Sequence, residues 1–440
     1  MSLFHAMGLI VTLVALFGYF NCRFTRLPDI IGITAIGLIV SIIVAIIGTY
    51  NPAVASWAQQ AVAGIDFSKV VFQGMLGMLL FAGSLHVNLG DITREKWGIL
   101  VLATVGVVLS TVIVGTGFYL GAQLLGFDVP LINCLLFGAL ISPTDPIAVL
   151  GILRKVGVPK ALETKIAGES LFNDGTGVVV FLTLLSVVTS GHDVSTSEVL
   201  KLLAEEVIGG VVVGLVLGYL GVYLLKGIDS YAVEILITLS LATAGYAFAE
   251  SLHTSAPIAV VIMGLMVGNQ GKEYAMSELT RQHLFSFWEL IDELLNLLLF
   301  GLIGLEVIAL SLSVNQMLPG LIAIPIVLLA RWVSVGVPVM AMSRFRVFTP
   351  NTIKIMTWGG LRGGISVALA QNLKIRSELM ISLRTYIEDE GLGKNKAAEV
   401  FGVHQPRISD LMRGKIDKFT IDMLVNMLAR IGKTVKLKAA

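Results

Sequence analysis

Apolar runs long enough to cross a lipid bilayer recur from end to end of this 440-residue chain. A bilayer core of about 30 Å requires about 20 predominantly apolar residues in a helix. Hydrophobic residues form 55% of the sequence and charged residues only 14%, which excludes a soluble globular domain of this size. We therefore predict an all-α, multi-pass membrane protein with twelve spans, at about 6–20, 29–48, 68–87, 98–124, 130–153, 162–189, 203–226, 231–250, 255–270, 282–309, 318–343 and 352–373.

The basic residues of the loops indicate which loops face the cytoplasm. Lys and Arg follow each odd-numbered span, and the intervening loops are nearly free of them. Because cytoplasmic loops carry the excess of Lys and Arg, the N-terminus is predicted to lie outside. Twelve spans then leave the residues after 373 outside as well. The alternative is that the twelfth segment, which carries Arg362 and its glycines, does not insert and the tail stays inside. The loop residues concerned are Arg23, Arg26, Arg94, Lys96, Arg154, Lys155, Lys160, Lys226, Lys272, Arg281, Arg344 and Arg346.

The segment "AGESLFNDGTGVV" (167–179) places two acids inside an apolar span, where ionisable residues mark functional sites by default. On a helix, Ser170, Asn173 and Asp174 occupy positions i, i+3 and i+4 and share a face, with Glu169 at its edge. This oxygen-rich patch suits a monovalent cation or a proton. The alternative is that the intramembrane acids and arginines pair only to hold helices together.

Two further segments predict broken helices at membrane depth. In "SPTDPIAV", Pro143 and Pro146 bracket Thr144 and Asp145, and proline leaves backbone carbonyls unpaired. In "GGLRGGIS", four glycines surround Arg362. Broken helices of this kind form ion sites in transporters built from inverted repeats. Close helix packing alone is the alternative explanation of the glycines.

Together these motifs resemble the monovalent cation:proton antiporter family that includes the bacterial NhaP-type Na⁺/H⁺ antiporters. The resemblance covers about residues 5–372 and rests on "FAGSLHVNL", "SPTDPIAV", "GESLFNDGTGVV", "FGLIGLEV", "LLARW" and "GGLRGGISVAL". It implies an inverted-repeat fold, a homodimer, a mobile six-helix core, and electroneutral exchange of one cation for one proton by alternating access. The implied protein is a transporter of the cell (inner) membrane, not an enzyme, and it needs no cofactor.

The resemblance also implies the ligands of the transported ion. Asp174 is the main carboxylate for both the cation and the proton. Glu169 and Ser170 contribute to the site, and the backbone of Thr144 adds a ligand. These four residues form the expected Na⁺ site.

Four other residues receive supporting roles from the same resemblance. Asp145 balances the charges of the half-helix ends. Asn173 stands where electrogenic relatives have a second acid. Arg331 is the expected partner of Glu169, and Arg362 lies at the second helix break.

The composition changes near residue 374 and predicts a second domain. Residues 374–440 hold 13 Lys/Arg and 8 Asp/Glu, a net charge of +5, whereas the rest holds 18 and 22, a net charge of −4. The expected domains are thus a cation/proton exchanger over 1–373 and a DNA-binding-like unit over 374–440. The tail resembles the Cro/cI-type (XRE) helix-turn-helix family, with helices near 378–390, 394–401, 405–412 and 420–431.

By this second resemblance, the recognition helix would present Gln405, Arg407, Ser409 and Arg413 to DNA. Ala397, Ala398, Val400 and Phe401 would form part of the core, Gly402 the turn, and Pro406 the first turn of the recognition helix. The tail departs from the family at Gly393, Lys394 and His404, where a cap and phosphate contacts are expected. A protein-binding helical module or a solvated basic surface is the alternative.

The antiporter pattern normally has a thirteenth span, whereas here the sequence changes at "QNLKIRSELM". The leading hypothesis is exchange of a monovalent cation, foremost Na⁺, for H⁺, impaired by loss of the last core helix. The alternatives are a membrane-tethered helix-turn-helix regulator and an inactive gene fusion. The lipid bilayer, a second copy of the chain and DNA are the expected partners.

Overall fold

Every regular element in the described part of the computed structural model is a helix. The described residues are 3–51, 75–146, 150, 153, 158–190, 196–306, 314–346, 348–360, 364–414, 418–419 and 421–431. Six helical segments among them are long and apolar enough to cross a membrane: Gly8–Thr25, Asp29–Gly48, Leu89–Leu124, Ala204–Lys226, Tyr231–Ser251 and Pro319–Met342. The predicted all-α, multi-pass architecture is therefore confirmed.

The first half of the chain supplies the helices that frame the polar segment. Two of them, α1 and α4, continue into π-helical turns at Asn21–Thr25 and Leu102–Gly106, so that α4 and α5 form one 36-residue span. No local sequence pattern predicted these π turns. The helices are α1 (Leu3–Phe20), α2 (Asp29–Tyr50), α3 (Leu76–Leu85), α4 (Leu89–Val101), α5 (Val107–Leu124), α6 (Leu131–Ile141) and α7 (Lys160–Ser190).

The second half begins with long helices and ends with short ones. Helix α10 continues into a π turn at Val267–Gly271, and α12 contains three prolines. The helices are α8 (Thr196–Lys226), α9 (Tyr231–Ser251), α10 (Ala256–Met266), α11 (Glu278–Glu306), α12 (Val314–Met342), α13 (Thr352–Trp358), α14 (Gly364–Asp389), α15 (Lys394–Phe401), α16 (Gln405–Met412) and α17 (Ile421–Arg430).

Close backbone approach explains part of the chain's glycine content. A Cβ at Gly138 of α6 would overlap the carbonyl oxygen of Thr111 on α5. A Cβ at Gly304 of α11 would lie 2.9 Å from the carbonyl oxygen of Thr34 on α2. Small residues let membrane helices pack at such distances.

The predicted span 352–373 is interrupted where the glycines stand. Helix α13 ends at Trp358 and α14 begins at Gly364. Residues 361–363, and with them Arg362, lie outside the described residues. Helix α14 then runs without interruption to Asp389, so the separate tail helix predicted at 378–390 is instead the second half of α14.

The tail folds around its own apolar residues. Leu383, Phe401, Ile408, Leu411 and Leu424 are each at most 1% exposed. Two details of the predicted helix-turn-helix are confirmed: the turn after α15 uses a left-handed glycine at Gly402 (φ 62°), and Pro406 lies in the first turn of α16. Ala397, Ala398 and Phe401 are buried as predicted, and Val400 is partly buried.

Candidate ion-binding site

Helix α7 carries the polar residues Glu169, Ser170, Asn173 and Asp174 in its middle turns. Glu169 and Asn173 are almost fully buried, at 2% and 1% exposure. Ser170 and Asp174 are only partly buried. The two acids therefore differ in surroundings: Glu169 is enclosed, whereas part of Asp174 is exposed.

A non-helical segment lies against this face of α7. Helix α6 ends at Ile141, and residues 142–146 are irregular and mostly buried. The Ser170 hydroxyl donates to the Thr144 carbonyl oxygen at 2.9 Å, and Asn173 Nδ2 donates to Thr144 Oγ1 at 2.8 Å. The approach is close, because a Cβ at Gly177 would overlap the Pro143 ring. The structure thus brings the two predicted motifs into direct contact through Thr144.

Asp145 of the irregular segment and Asn173 of α7 add polar groups to this contact. Asp145 is partly buried, as Asp174 is. The buried Asn173 Oδ1 has no hydrogen-bond partner among the described residues. A buried amide oxygen without a donor is costly unless something else binds it. The Asn173 Oδ1 atom is therefore a candidate ligand for a bound ion.

Glu169 is bound on both carboxylate oxygens by Arg331 of α12. Arg331 Nη1 lies 2.5 Å from Oε1, and Nη2 lies 3.0 Å from Oε2. Arg331 is 7% exposed, so the pair is buried on both sides. Bidentate Arg–carboxylate pairs are strong and fix geometry, and a buried charge requires such a partner. Arg331, assigned to Glu169 from the resemblance, forms this ion pair in the structure.

The same guanidinium also binds the broken end of α13. Arg331 Nε and Nη2 donate to the Met356 carbonyl oxygen at 3.3 and 3.2 Å. Met356 lies in the last turn of α13, where carbonyls lack intrahelical donors and a positive charge is favoured. A Cβ at Gly360 would lie 2.6 Å from Arg331 Nε, which explains a glycine at this position. Arg331 therefore joins α7, α12 and α13 at one point.

Lys165 forms a second ion pair one turn before Glu169. Its Nζ lies 3.1 Å from Glu95 Oε2 of α4 and 4.6 Å from the ring centre of Phe348. The Lys165 side chain is 4% exposed and the Glu95 side chain 22%. Sequence patterns did not predict this pair, although a lysine four residues before Glu169 within an apolar span was a usable signal. One turn earlier still, Lys160 pairs with Asp91 at 3.1 Å.

The candidate DNA-binding residues lie on or beside α16. Gln405 and Arg413 are exposed, whereas Arg407 and Ser409 are partly buried. Arg407 Nη1 donates to the Lys418 carbonyl oxygen at 2.8 Å, so part of its hydrogen-bonding capacity is used within the tail. His404 occupies the N-cap of α16 without a side-chain capping bond, as does Gly393 at α15. These helix starts therefore lack the usual cap.

Two protein families match the chain. "Sodium/hydrogen exchanger, transmembrane" matches residues 10–379, and "Helix-turn-helix domain" matches residues 364–440. The first match covers most of the chain, and the two overlap along α14.

Individual relatives agree with the first family. The Na⁺/H⁺ antiporter NhaP of Pseudomonas aeruginosa is 48% identical over 384 residues, which cover 86% of this chain and 90% of the relative. The Na⁺/H⁺ antiporter NhaH of Halobacillus dabanensis is 34% identical over 352 residues, covering 79% and 83%. The solved structure of the sodium proton antiporter MjNhaP1 from Methanocaldococcus jannaschii has a TM-score of 0.64 at 20% identity, covering 98% of this chain and 100% of that one.

Proposed function

Because the chain belongs to the sodium/hydrogen exchanger family, we propose that it is a secondary transporter exchanging Na⁺ for H⁺ across the cell (inner) membrane. The observation that carries this proposal is the contact between α7 and the broken segment 142–146, beside the partly exposed Asp174. Non-helical backbone at membrane depth is tolerated where it is buried in protein or lines a cavity. Ion transport of this kind requires neither an enzyme's covalent chemistry nor a cofactor.

Exchange follows from competition for one carboxylate. In this proposal Asp174 binds either a proton or a Na⁺ ion, with Ser170, Asn173 and Thr144 supplying further oxygens. Glu169 is already neutralised by Arg331 and contributes to the charge balance, as does Asp145. Since Asn173 carries no charge, a single carboxylate trades one cation for one proton, and the exchange is electroneutral. Arg362 is assigned to charge balance at the second break.

Alternating access requires the site to move as a unit. The Arg331 contacts with Glu169 and Met356 support such a unit, because they tie α7, α12 and α13 together.

Exposed apolar residues on α2 and α8 suit lipid or a second copy, which supports a homodimer formed through the membrane domain. Examples are Ile39 at 55%, Ile46 at 55%, Ile208 at 61% and Val216 at 60% exposure.

The decisive experiment is Na⁺-driven proton movement in inverted membrane vesicles. Asp174→Asn should abolish exchange while protein levels stay normal. Asp91→Asn is the matched control, because Asp91 pairs with Lys160 outside the site, and it should retain exchange. Exchange that persists in Asp174→Asn refutes the site assignment. If the intact chain is inactive and becomes active when a thirteenth helix is added, impairment by the missing helix is supported.

We propose DNA binding by the tail as the second candidate function. The exposed side chains of Gln405 and Arg413 on a helix-turn-helix unit favour it, and the division into an exchanger over 1–373 and a tail over 374–440 underlies it. Titration of the full chain in lipid nanodiscs with duplex DNA at two salt concentrations tests it, since phosphate contacts make affinity salt-dependent. Binding that Arg413→Ala weakens supports this function. Absence of salt-dependent binding argues for a tail without contact to DNA.

A further inference from the structure

The two ends of α7 pack in two separate apolar clusters. The cluster at the Lys160 end contains Leu162 and Ile166 of α7 together with Val335 of α12 and Met356 of α13. Lys160 pairs with Asp91 at this end. Arginines and lysines concentrate here, and Arg346 donates to the carbonyl oxygen of Arg94 at 3.2 Å. By the positive-inside rule this end of α7 is cytoplasmic.

The opposite end of α7 belongs to one buried apolar cluster with the tail. Phe181 and Leu185 lie roughly 32 and 38 Å along the helix from Lys160, at 1.5 Å per residue. They belong to one buried cluster with Leu136 and Ala139 of α6. From the tail, the same cluster contains Leu379, Met380, Leu383, Ile387, Ala397, Ala398, Phe401, Ile408, Leu411, Phe419, Leu424, Met427 and Leu428.

The exposure of α7 residues agrees with a docked tail. Phe181 is 3% and Leu185 is 5% exposed, whereas Leu182 on the same stretch is 41% exposed. The two buried residues lie one turn apart and on the same side of the helix. The outer end of α7 is therefore buried on the face that carries Phe181 and Leu185 and open at Leu182.

Helix α14 leads the chain away from the cytoplasmic end of the membrane domain. The chain leaves the cytoplasmic cluster at Met356 in α13 and then enters α14, which is helical from Gly364 to Asp389. Its 26 residues correspond to about 39 Å, but only the first ten, 364–373, are apolar enough for the bilayer core, because Lys374, Arg376 and Glu378 follow. Leu379, Met380 and Leu383 of its C-terminal half share the buried cluster of Phe181 and Leu185, so this half lies at the end of α7 opposite Lys160.

We infer that the unit formed by the second half of α14 with α15–α17 is an extracytoplasmic cap, docked on the outer ends of α6 and α7. Its apolar residues then form an intramolecular docking surface, and its recognition helix lies on the side of the membrane opposite the chromosome. An extracytoplasmic tail therefore excludes the DNA-binding candidate function in the cell, and thiol labelling decides between the two. This assignment concerns the tail and does not depend on whether the exchanger is active.

Thiol labelling tests the sidedness with the full chain. Cys22 is exposed and precedes the cytoplasmic Arg23, whereas Cys134 is buried. One variant carries Cys134→Ala and keeps Cys22; the other carries Cys22→Ser, Cys134→Ala and Glu390→Cys, at an exposed tail position. A membrane-impermeant maleimide should label Glu390→Cys in intact spheroplasts and Cys22 only after permeabilisation. Labelling of both thiols under the same condition overturns the inference.

Limited trypsin digestion of intact spheroplasts tests the docking itself. Phe181→Ala with Leu185→Ala removes the α7 side chains of the cluster that includes the tail and should speed tail cleavage several-fold. Leu182→Ala is the matched control, because its side chain lies on an exposed part of the same turn. Equal cleavage rates in all three proteins would refute docking. The labelling result stands independently if the double variant accumulates poorly, and neither readout changes if transport is absent.

Discussion

Arg331 and Glu169 form a buried, bidentate ion pair with distances of 2.5 and 3.0 Å between α12 and α7. Arg331 also donates hydrogen bonds to the Met356 carbonyl oxygen at the end of α13. The pair therefore neutralises a buried carboxylate and links three helices. Its loss should affect stability and transport together.

We expect Arg331→Gln to destabilise the protein by about 3–5 kcal/mol, because Glu169 is left as an unpaired buried charge. Arg331→Lys should recover part of this loss, since a lysine keeps the charge but not the forked geometry. The double variant Arg331→Met with Glu169→Leu should be more stable than Arg331→Gln. Thermal unfolding in detergent measures all three, and a double variant less stable than the single one would contradict this expectation.

Gly177→Ala should disturb the ion site without adding charge. The new Cβ would overlap the Pro143 ring and push the broken segment away from α7. The hydrogen bonds of Thr144 with Ser170 and Asn173 should weaken, and the KM for Na⁺ in vesicles should rise about tenfold or more, equivalent to at least about 1.4 kcal/mol. Gly83→Ala is the control, because nothing lies within 4 Å of its added Cβ. Equal KM values would exclude this contact as a determinant of the site.

Two substitutions of Asn173 test separately the role of its amide oxygen and the role of its lack of charge. Asn173→Leu keeps the approximate size, removes the open Oδ1 and the bond to Thr144, and should raise the KM for Na⁺. Asn173→Asp adds a carboxylate next to Asp174 in the sequence and should make the remaining exchange depend on the membrane potential. Exchange rates with and without an imposed potential provide the test. An unchanged KM in Asn173→Leu would show that this oxygen does not meet the ion.

Lys165→Met should lower the free energy of unfolding by about 1–3 kcal/mol, because the partly buried Glu95 loses its partner. Lys160→Met is a close control: its ion pair with Asp91 has the same 3.1 Å distance, but the lysine side chain is 79% exposed. Exposed pairs contribute less than about 1 kcal/mol. Chemical or thermal unfolding compares the two. The prediction fails if both variants lose the same stability.

Sequence patterns predicted the polar parts of the site because each has a local cause. The i, i+3, i+4 spacing brought Ser170, Asn173 and Asp174 together on α7, and the paired prolines predicted the break that bears Thr144. The Met356 carbonyl had no such signal, because any residue carries one and only the end of α13 leaves it unpaired. The π turns were equally unpredicted.

The composition change at residue 374 did not mark the end of a helix. From Gly364 to Asp389 the chain contains no proline and no further glycine, so nothing local stops α14. A shift from apolar to charged residues changes the surroundings of a helix and leaves its hydrogen bonding intact. This is why the predicted helix at 378–390 merged with the membrane segment before it.

The continuity of α14 has a mechanical consequence. A helix of about 39 Å without a hinge behaves as a stiff rod. One end begins directly after the break that follows α13, and the other carries the tail. Any displacement of the ion-binding helices would then be transmitted along α14 as a displacement of the tail. A fluorophore attached at position 390 would therefore report conformational changes of the membrane domain.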